Sequence, residues 1–255
     1  MRWPPKYMKQ QRDYQPCFAT VPDTWQGRWT LLREFVRRWH GLSLGPVGAG
    51  SMLVDTEESK LGLQLPPSFR EWIAFAEELS AQNAFEILRD CYEVTRLESH
   101  SAISLMLQGE RDLYWAVKEE DFKSEDPPVN TYYLEYEEKG FVHYGLDSPF
   151  ITSFVLGHMA HFLHGNGGGF LVSLKLSEGF LEEMYQAFPV ATRFGHLQVF
   201  EKENIIAIIM PPQFGDQEHY LLVEVWRPIP MEQIPNCVLE YTKNGGAFHG
   251  SFAPS

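Results

Sequence analysis

The chain has 255 residues, 44% hydrophobic and 14% aromatic, enough to bury a sizeable core in one large domain or one domain with an appendage. Its 34 acidic residues against 21 basic leave a net charge of −13, which disfavours direct binding to a nucleic-acid backbone, where clustered Lys and Arg are needed. The same surplus keeps a protein soluble and speeds docking to a basic partner. No apolar run reaches the roughly eighteen residues of a membrane helix. The start, "MRWPPKYMKQQRDYQP", has no apolar stretch of the secretory type. Cys17, Cys91 and Cys237 form neither a C-x-x-C pair nor an even framework, so a reducing cytoplasm is the expected location.

Residues 1 to 23 read as a surface arm that Trp3, Tyr7 and Tyr14 could dock. From Trp25 to His40, Trp29, Leu32, Phe35, Val36 and Trp39 recur at helical steps, and "GLSLGPVGAG" stops the pattern. A short helix covers Met52 to Lys60 and ends at Gly62. In "LGLQLPPSFREWIAFAEEL", Pro67 suits a first helical turn, and Phe69, Trp72, Ile73, Ala76 and Leu79 line one face. Beyond Asp90 the period falls towards two. "ISLML", "LYWAVK", "TYYLEY" and "FVHYG" predict strands, antiparallel because their spacers are too short for crossovers. "SPFITSFVLGHMAHFLHG" predicts a helix capped by Ser148 or Asp147, with Pro149 in its first turn, and "GNGGGF" ends it. A helix from Glu178 to Ala187, strands "LQVF", "IIAIIM" and "YLLVEVW", and a short helix near Met231 to Ile234 complete the reading.

Two patterns raise the question of catalysis. His158, His161 and His164 are spaced by three, so neighbours lie about 60° apart around a helix and the outer pair about 120°. One ion is poorly served by that fan, and no Glu stands between the histidines as in the zinc helix H-E-x-x-H. A further ligand would come from afar, from His143, His196 or His219. The glycine run follows a helix and lacks the Lys–Ser/Thr pair of a phosphate loop. No G-x-S-x-G elbow exists and no cysteine carries a catalytic signature. Neither metal nor cofactor is expected. Tyr114 and Trp115, beside Glu119, Glu120, Asp121, Glu125 and Asp126, have the aromatic-and-charged composition of a protein-binding surface. Core packing suits Trp115 equally, and a carboxylate-bound Mg²⁺ is a further use of the acidic cluster.

Three segments in order resemble the SUKH superfamily of cell-wall assembly regulators and bacterial immunity proteins. "EESKLGLQLPPSFREWIAF" is similar to its N-terminal signature through Glu58, Leu61, Gly62, Leu65, Pro66, Phe69, Arg70 and Trp72. "DLYWAVKEEDFKSEDPPV" resembles its central strand and turn through Trp115, Asp121, Asp126, Pro127, Pro128 and Val129. "DSPFITSFVLGHMAHFLHG" is similar to its closing helix. The likeness covers about residues 25 to 165, and one departure is that "SAQNAFEIL" lacks the usual Asn-Gly-type turn. The part with "ENIIAIIMPP" and "YLLVEVWRP" resembles an extension of longer bacterial members. The resemblance implies an α+β fold, a mainly antiparallel sheet flanked by helices, divided into an arm (1–23), a SUKH-like domain (24–165) and a smaller α+β extension (166–255) packed on it. It also implies a non-enzymatic protein that neutralises a cognate toxin, such as a basic nuclease, by direct binding. Fold alone does not set function; the alternatives are a regulatory protein-binding scaffold and a metal-dependent hydrolase using the His158/His161 region.

Overall fold

The computed structural model describes residues 15–82, 92–108, 112–135, 140–162, 169–203, 205–212, 219–225, 233–242 and 247–249. The chain opens with three helices: α1 (Trp25–His40), α2 (Met52–Leu61) and α3 (Pro67–Ala81). Their ends follow from local chemistry. The Thr24 and Ser51 hydroxyls accept from Gly27 and Leu53 N–H groups, satisfying orphan donors of the first turns. Gly41 and Gly62, both at φ 67°, close α1 and α2 in the left-handed conformation that costs other residues more. Pro66 and Pro67 set the entry to α3.

The first sheet contains β1 (Arg96–Leu97), β2 (Ala102–Gln108), β3 (Leu113–Lys118), β4 (Val129–Glu135) and β5 (Gly140–Ser148), in that spatial order. Helix α4 (Ile151–Phe162) follows, then β6 (Gly169–Leu174) and α5 (Glu178–Ala187). The meander β7 (Val190–Phe194), β8 (Leu197–Lys202), β9 (Ile205–Met210) and β10 (His219–Val225) comes next, with α6 (Asn236–Thr242) and β11 (Ala247–His249) last. The second sheet is ordered β11-β6-β10-β9-β8-β7, and every described pair in both sheets is antiparallel. The fold is therefore α+β, as the sequence predicts.

The packing forms four layers. Trp29, Phe35, Phe69, Trp72 and Phe75 of α1 and α3, and Phe154, Val155 and Met159 of α4, share one core with Ile103, Trp115 and Val117 of the first sheet. They share it equally with Val199, Ile206, Ile208 and Leu222 of the second. The second sheet's other face, with Phe200, Ile205, Ala207, Ile209, Leu221 and Val223, packs on Phe180 and Met184 of α5 and Val238 of α6. The run "IIAIIM" is thus apolar at every position because alternate residues face two different helix layers. A bulge between Ser104 and Met106 lets the consecutive Leu105 and Met106 both join the central core.

One buried carboxylate ties the helical layer together. Asp126 Oδ2 accepts from Arg28 Nη2 at 2.8 Å and Nε at 3.0 Å, and from Thr152 Oγ1 at 2.7 Å. Its Oδ1 accepts from Ser68 Oγ at 2.7 Å and from the Thr152 N–H at 3.3 Å; Ser68 Oγ accepts in turn from Trp29 Nε1. A second carboxylate, the fully buried Glu201 of β8, accepts from the backbone N–H groups of Cys17 and Phe18, each at 2.8 Å. Phe18 then packs on Phe35 and Phe194. The arm is docked by these residues, whereas Trp3, Tyr7 and Tyr14 lie outside the described residues.

Three expectations need correction, and a fourth lies partly outside the described residues. The N-terminus of α4 is capped by Asp126, through the Thr152 N–H, and not by Ser148 or Asp147. Ser148 bonds the Ser153 hydroxyl, Asp147 faces Trp115, and Pro149 precedes the helix, which begins at Ile151. The segment "GNGGGF" is only partly a stop: residues 165–168 lie outside the described residues, but Gly169 and Phe170 already belong to β6. Of the short helix expected near Met231 to Ile234, residues 231 and 232 lie outside the described residues; a helix is described at Asn236–Thr242, where the fixed φ of Pro235 suits the entry. Residues 166–255 supply six strands of a full sheet, three more than the apolar runs predict. β7 pairs with β8 through a tight turn at Gly195, whose φ is 62° and where an added Cβ would come within 2.6 Å of the Ser153 side chain.

Asp126→Ala removes the buried acceptor shared by the largely buried Arg28 side chain, Ser68 and Thr152, and lowers stability by about 3–5 kcal/mol. Glu125→Ala, which removes an exposed neighbour, changes it by less than about 0.5 kcal/mol. Urea titration followed by tryptophan fluorescence distinguishes the two outcomes.

Candidate functional site

At one end of the first sheet two turns lie side by side. β1 runs into a short 3₁₀ turn, Glu98–His100, and Ser101 reverses the chain at φ 47°, an uncommon value for a residue with a side chain. β3 ends in a second 3₁₀ turn, Glu119–Asp121. Antiparallel register brings Ala102 opposite Lys118, and the Glu119 N–H donates to the Ser101 carbonyl at 2.8 Å. Across the sheet, Tyr132 pairs with His143 and Asn130 with Leu146, so these side chains share a face. The Tyr132 ring lies between two imidazoles, its centre 5.0 Å from His100 and 5.1 Å from His143.

These elements enclose a pocket of about 380 Å³ lined by Ser99, His100, Ser101, Lys118, Glu120, Tyr132 and His143. His100 Nε2 donates to the Phe141 carbonyl at 2.5 Å. His143 Nε2 bonds Asn130 Oδ1 at 3.0 Å. Burial holds the His143 imidazole below its ordinary value, helped by Lys118 and His100 and opposed by a backbone hydrogen bond to Gly145. The Tyr132 hydroxyl is buried and has no hydrogen-bond partner among the described residues. Burial first, then the Asp121 and Glu120 carboxylates, push it up to about 12, so it stays protonated and can donate. Lys118 Nζ lies 3.9 Å from Glu120, whose side chain is 75% exposed, and Arg96 pairs with Glu119 at 3.0 Å.

The seven residues that sequence singled out for partner binding separate into two groups. Tyr114 and Trp115 point to opposite faces of β3 and are both buried. The Tyr114 ring meets Phe141 at 5.0 Å, and Trp115 packs on Phe154 and His158 while its Nε1 donates to Asp147 Oδ2 at 2.8 Å. Asp126 is the buried hub of the helical layer. Glu119, Glu120 and Asp121 form the turn beside the pocket, and Glu125 is exposed, its carbonyl accepting from the Ser68 N–H. The pocket itself was legible only through Glu120 and the mention of His143. Its signal was the alternation of Asn130 and Tyr132 against His143, which points to one face only once the strand register is known.

The histidine trio does not assemble as a described centre. His158 is buried, its ring 4.6 Å from Trp115 and 4.2 Å from Phe154. The His161 side chain and the whole of His164 lie outside the described residues. His143, His196 and His219 sit on the first sheet, the β7–β8 turn and the start of β10. Among the described residues no three His, Cys, Asp or Glu side chains group as metal ligands, and no helix is long and apolar enough to cross a membrane. Set against protein-family models, curated proteins and solved structures, the chain matches none.

Two stability measurements bear on this end of the sheet. Tyr132→Phe removes an unpartnered buried hydroxyl and raises stability by about 1 kcal/mol in urea titration. Asp147, pushed by burial from 3.8 up to about 6 against hydrogen bonds from Trp115 and Thr131, binds its proton more tightly folded than unfolded. Its contribution is therefore greatest below pH 3.8 and is lost as pH rises through about 6. Asp147→Asn, which keeps an oxygen for Trp115, accordingly gains stability relative to the parent between those values. A difference between the two proteins that stays flat across this range contradicts the assignment.

Proposed function

We propose that the protein is a cytoplasmic immunity protein of the SUKH type, which neutralises a basic toxin domain by binding it without catalysis. The observation that carries the reading is the Asp126 cluster. The three segments that resemble the superfamily are bonded to one another there: Ser68 from the first, Asp126 from the second and Thr152 from the third. Glu58 adds a further tie within the first segment, accepting from the Leu65 N–H at 2.8 Å and facing Arg70 Nε at 3.5 Å. Ser68, Asp126 and Thr152 thus act as one supporting unit, and the Glu119–Asp121 turn takes no part in its hydrogen bonds.

The docking surface in this reading is the turn Glu119–Asp121 with Glu125, extended by Tyr144 and Leu146 of β5, both more than half exposed. Carboxylates at the rim steer a basic partner, and the two large apolar side chains supply anchors that Trp115, being buried, does not. β5 is also one of the two edge strands described for its sheet.

Co-expression with the product of the neighbouring gene tests the reading directly. The expected outcome is rescue from toxicity and a complex that co-elutes in size-exclusion chromatography. Replacing Glu119, Glu120 and Glu125 with Lys slows association about tenfold or more at low salt, with little change at high salt. Neither rescue nor complex sinks the proposal, and capture of several unrelated host proteins points to a regulatory scaffold in its place.

A further inference from the structure

Resting on that reading, we propose that His100 and His143 make the docking face proton-sensitive, so that acidification releases a basic partner. Both residues line the pocket of about 380 Å³ beside the Glu119–Asp121 turn, and His143 is exposed to solvent. Imidazole is the side chain whose ordinary charge change falls between about pH 5 and 8.

The arrangement lets the charge change while the structure stays as it is. His100 Nε2 bonds the Phe141 carbonyl and His143 Nε2 bonds Asn130 Oδ1, and both partners are oxygens. An imidazolium, with an N–H on each nitrogen, satisfies such an acceptor as well as a neutral ring does. The core histidines behave differently. Burial holds His40 down to about 3, so it stays neutral across this range. His158 is buried against Trp115, on the opposite face of the sheet.

The groups around the pair set the sign. Burial, then Lys118 of β3 and His100, keep the His143 imidazole below its ordinary value, against a backbone hydrogen bond to Gly145. Glu120 lies 3.9 Å from Lys118, and Glu119 pairs with Arg96 at 3.0 Å. Asp121 completes that turn, and Asn130 and Tyr132 face the rings from β4. With both imidazoles neutral, Lys118 and Glu120 balance within the lining. With both protonated, three cations stand there against the single carboxylate of Glu120. A basic partner steered by the acidic turn then meets repulsion beside it. By linkage, a basic partner once bound holds protons off the same rings.

The test uses the full chain with the neighbouring gene's toxin domain, and with hexalysine amide as a simple polycation. Binding is measured at low salt at about pH 7.5 and about pH 5, for the parent and for a variant carrying His100→Gln and His143→Gln. Glutamine keeps an N–H for each acceptor and carries no charge. Asp147, pushed up to about 6, takes a proton in this window in both proteins, so its effect cancels in the comparison.

On acidification the parent is expected to lose about fivefold more affinity than the variant. In the complex, the imidazole NMR signals of His143 titrate at lower pH than in the free chain. That second measurement needs no substitution, so a variant that misfolds does not spare the proposal. Equal pH dependence in parent and variant overturns it, as does an unshifted His143 titration in the complex. A toxin complex that binds alike at both pH values removes the switch and leaves the docking reading. Hexalysine binding with the expected pH dependence, but no toxin complex, removes the docking reading alone. Binding of neither removes both.

Discussion

The Asp126 carboxylate is the constraint on which the arrangement of helices depends. It lies just before the Pro127-Pro128 turn into β4, yet its five hydrogen-bond donors come from α1, α3 and α4. A buried ion pair adds little net stability over a well-packed apolar pair, because both ions lose their hydration. Its effect here lies in selection. Any packing of α1, α3 and α4 that moves one helix leaves a guanidinium, a carboxylate or an indole N–H unpartnered away from water. The apolar faces of these helices could accommodate several crossings; the polar cluster admits one. A parallel device operates nearby, where Arg33 joins Glu71 and Glu78, and those carboxylates accept from the Gly48 and Gly45 N–H groups to hold the loop after α1.

The helices were legible in sequence because their signals are local. Trp25–His40 and the Pro67 helix carry apolar residues at helical steps, with Gly41 closing the first and Pro67 opening the second. The strands with aromatic alternation were legible for the same reason. β7 was not: "VATRF" alternates weakly, and its turn of Gly195 and His196 lacks the Asn-Gly or Asp-Gly pair that announces a hairpin. β6 was read as part of a glycine-rich stop.

Charged residues show where local reading ends. Asp126 and Glu125 are adjacent and chemically alike, yet one is a buried hub and the other exposed. The difference comes from Arg28, 98 residues away in sequence, and from Thr152. Trp115 was read both as an interface anchor and as core. Its neighbours Phe154 and His158, on a helix some forty residues further on, place it inside. The pocket depends on register in the same way, since its lining comes from β3, β4, β5 and two turns that no short window of sequence contains.

The tie between Glu201 and the backbone of Cys17 and Phe18 has a consequence for how the chain is made. The two ends of that contact are separated by 183 and 184 residues. At a synthesis rate of roughly 5–20 residues per second, β8 leaves the ribosome roughly ten to forty seconds after the arm. Throughout that interval Phe18 has no Phe194 beside it, and the α1 face shared with the second sheet has no cover. The first sheet and its helices can pair early, through contacts of shorter range. Closure of the central core waits for the arrival of the C-terminal meander. A nascent chain of this protein therefore carries an open aromatic face for most of its synthesis, the kind of surface that chaperones engage and that truncated products leave permanently exposed.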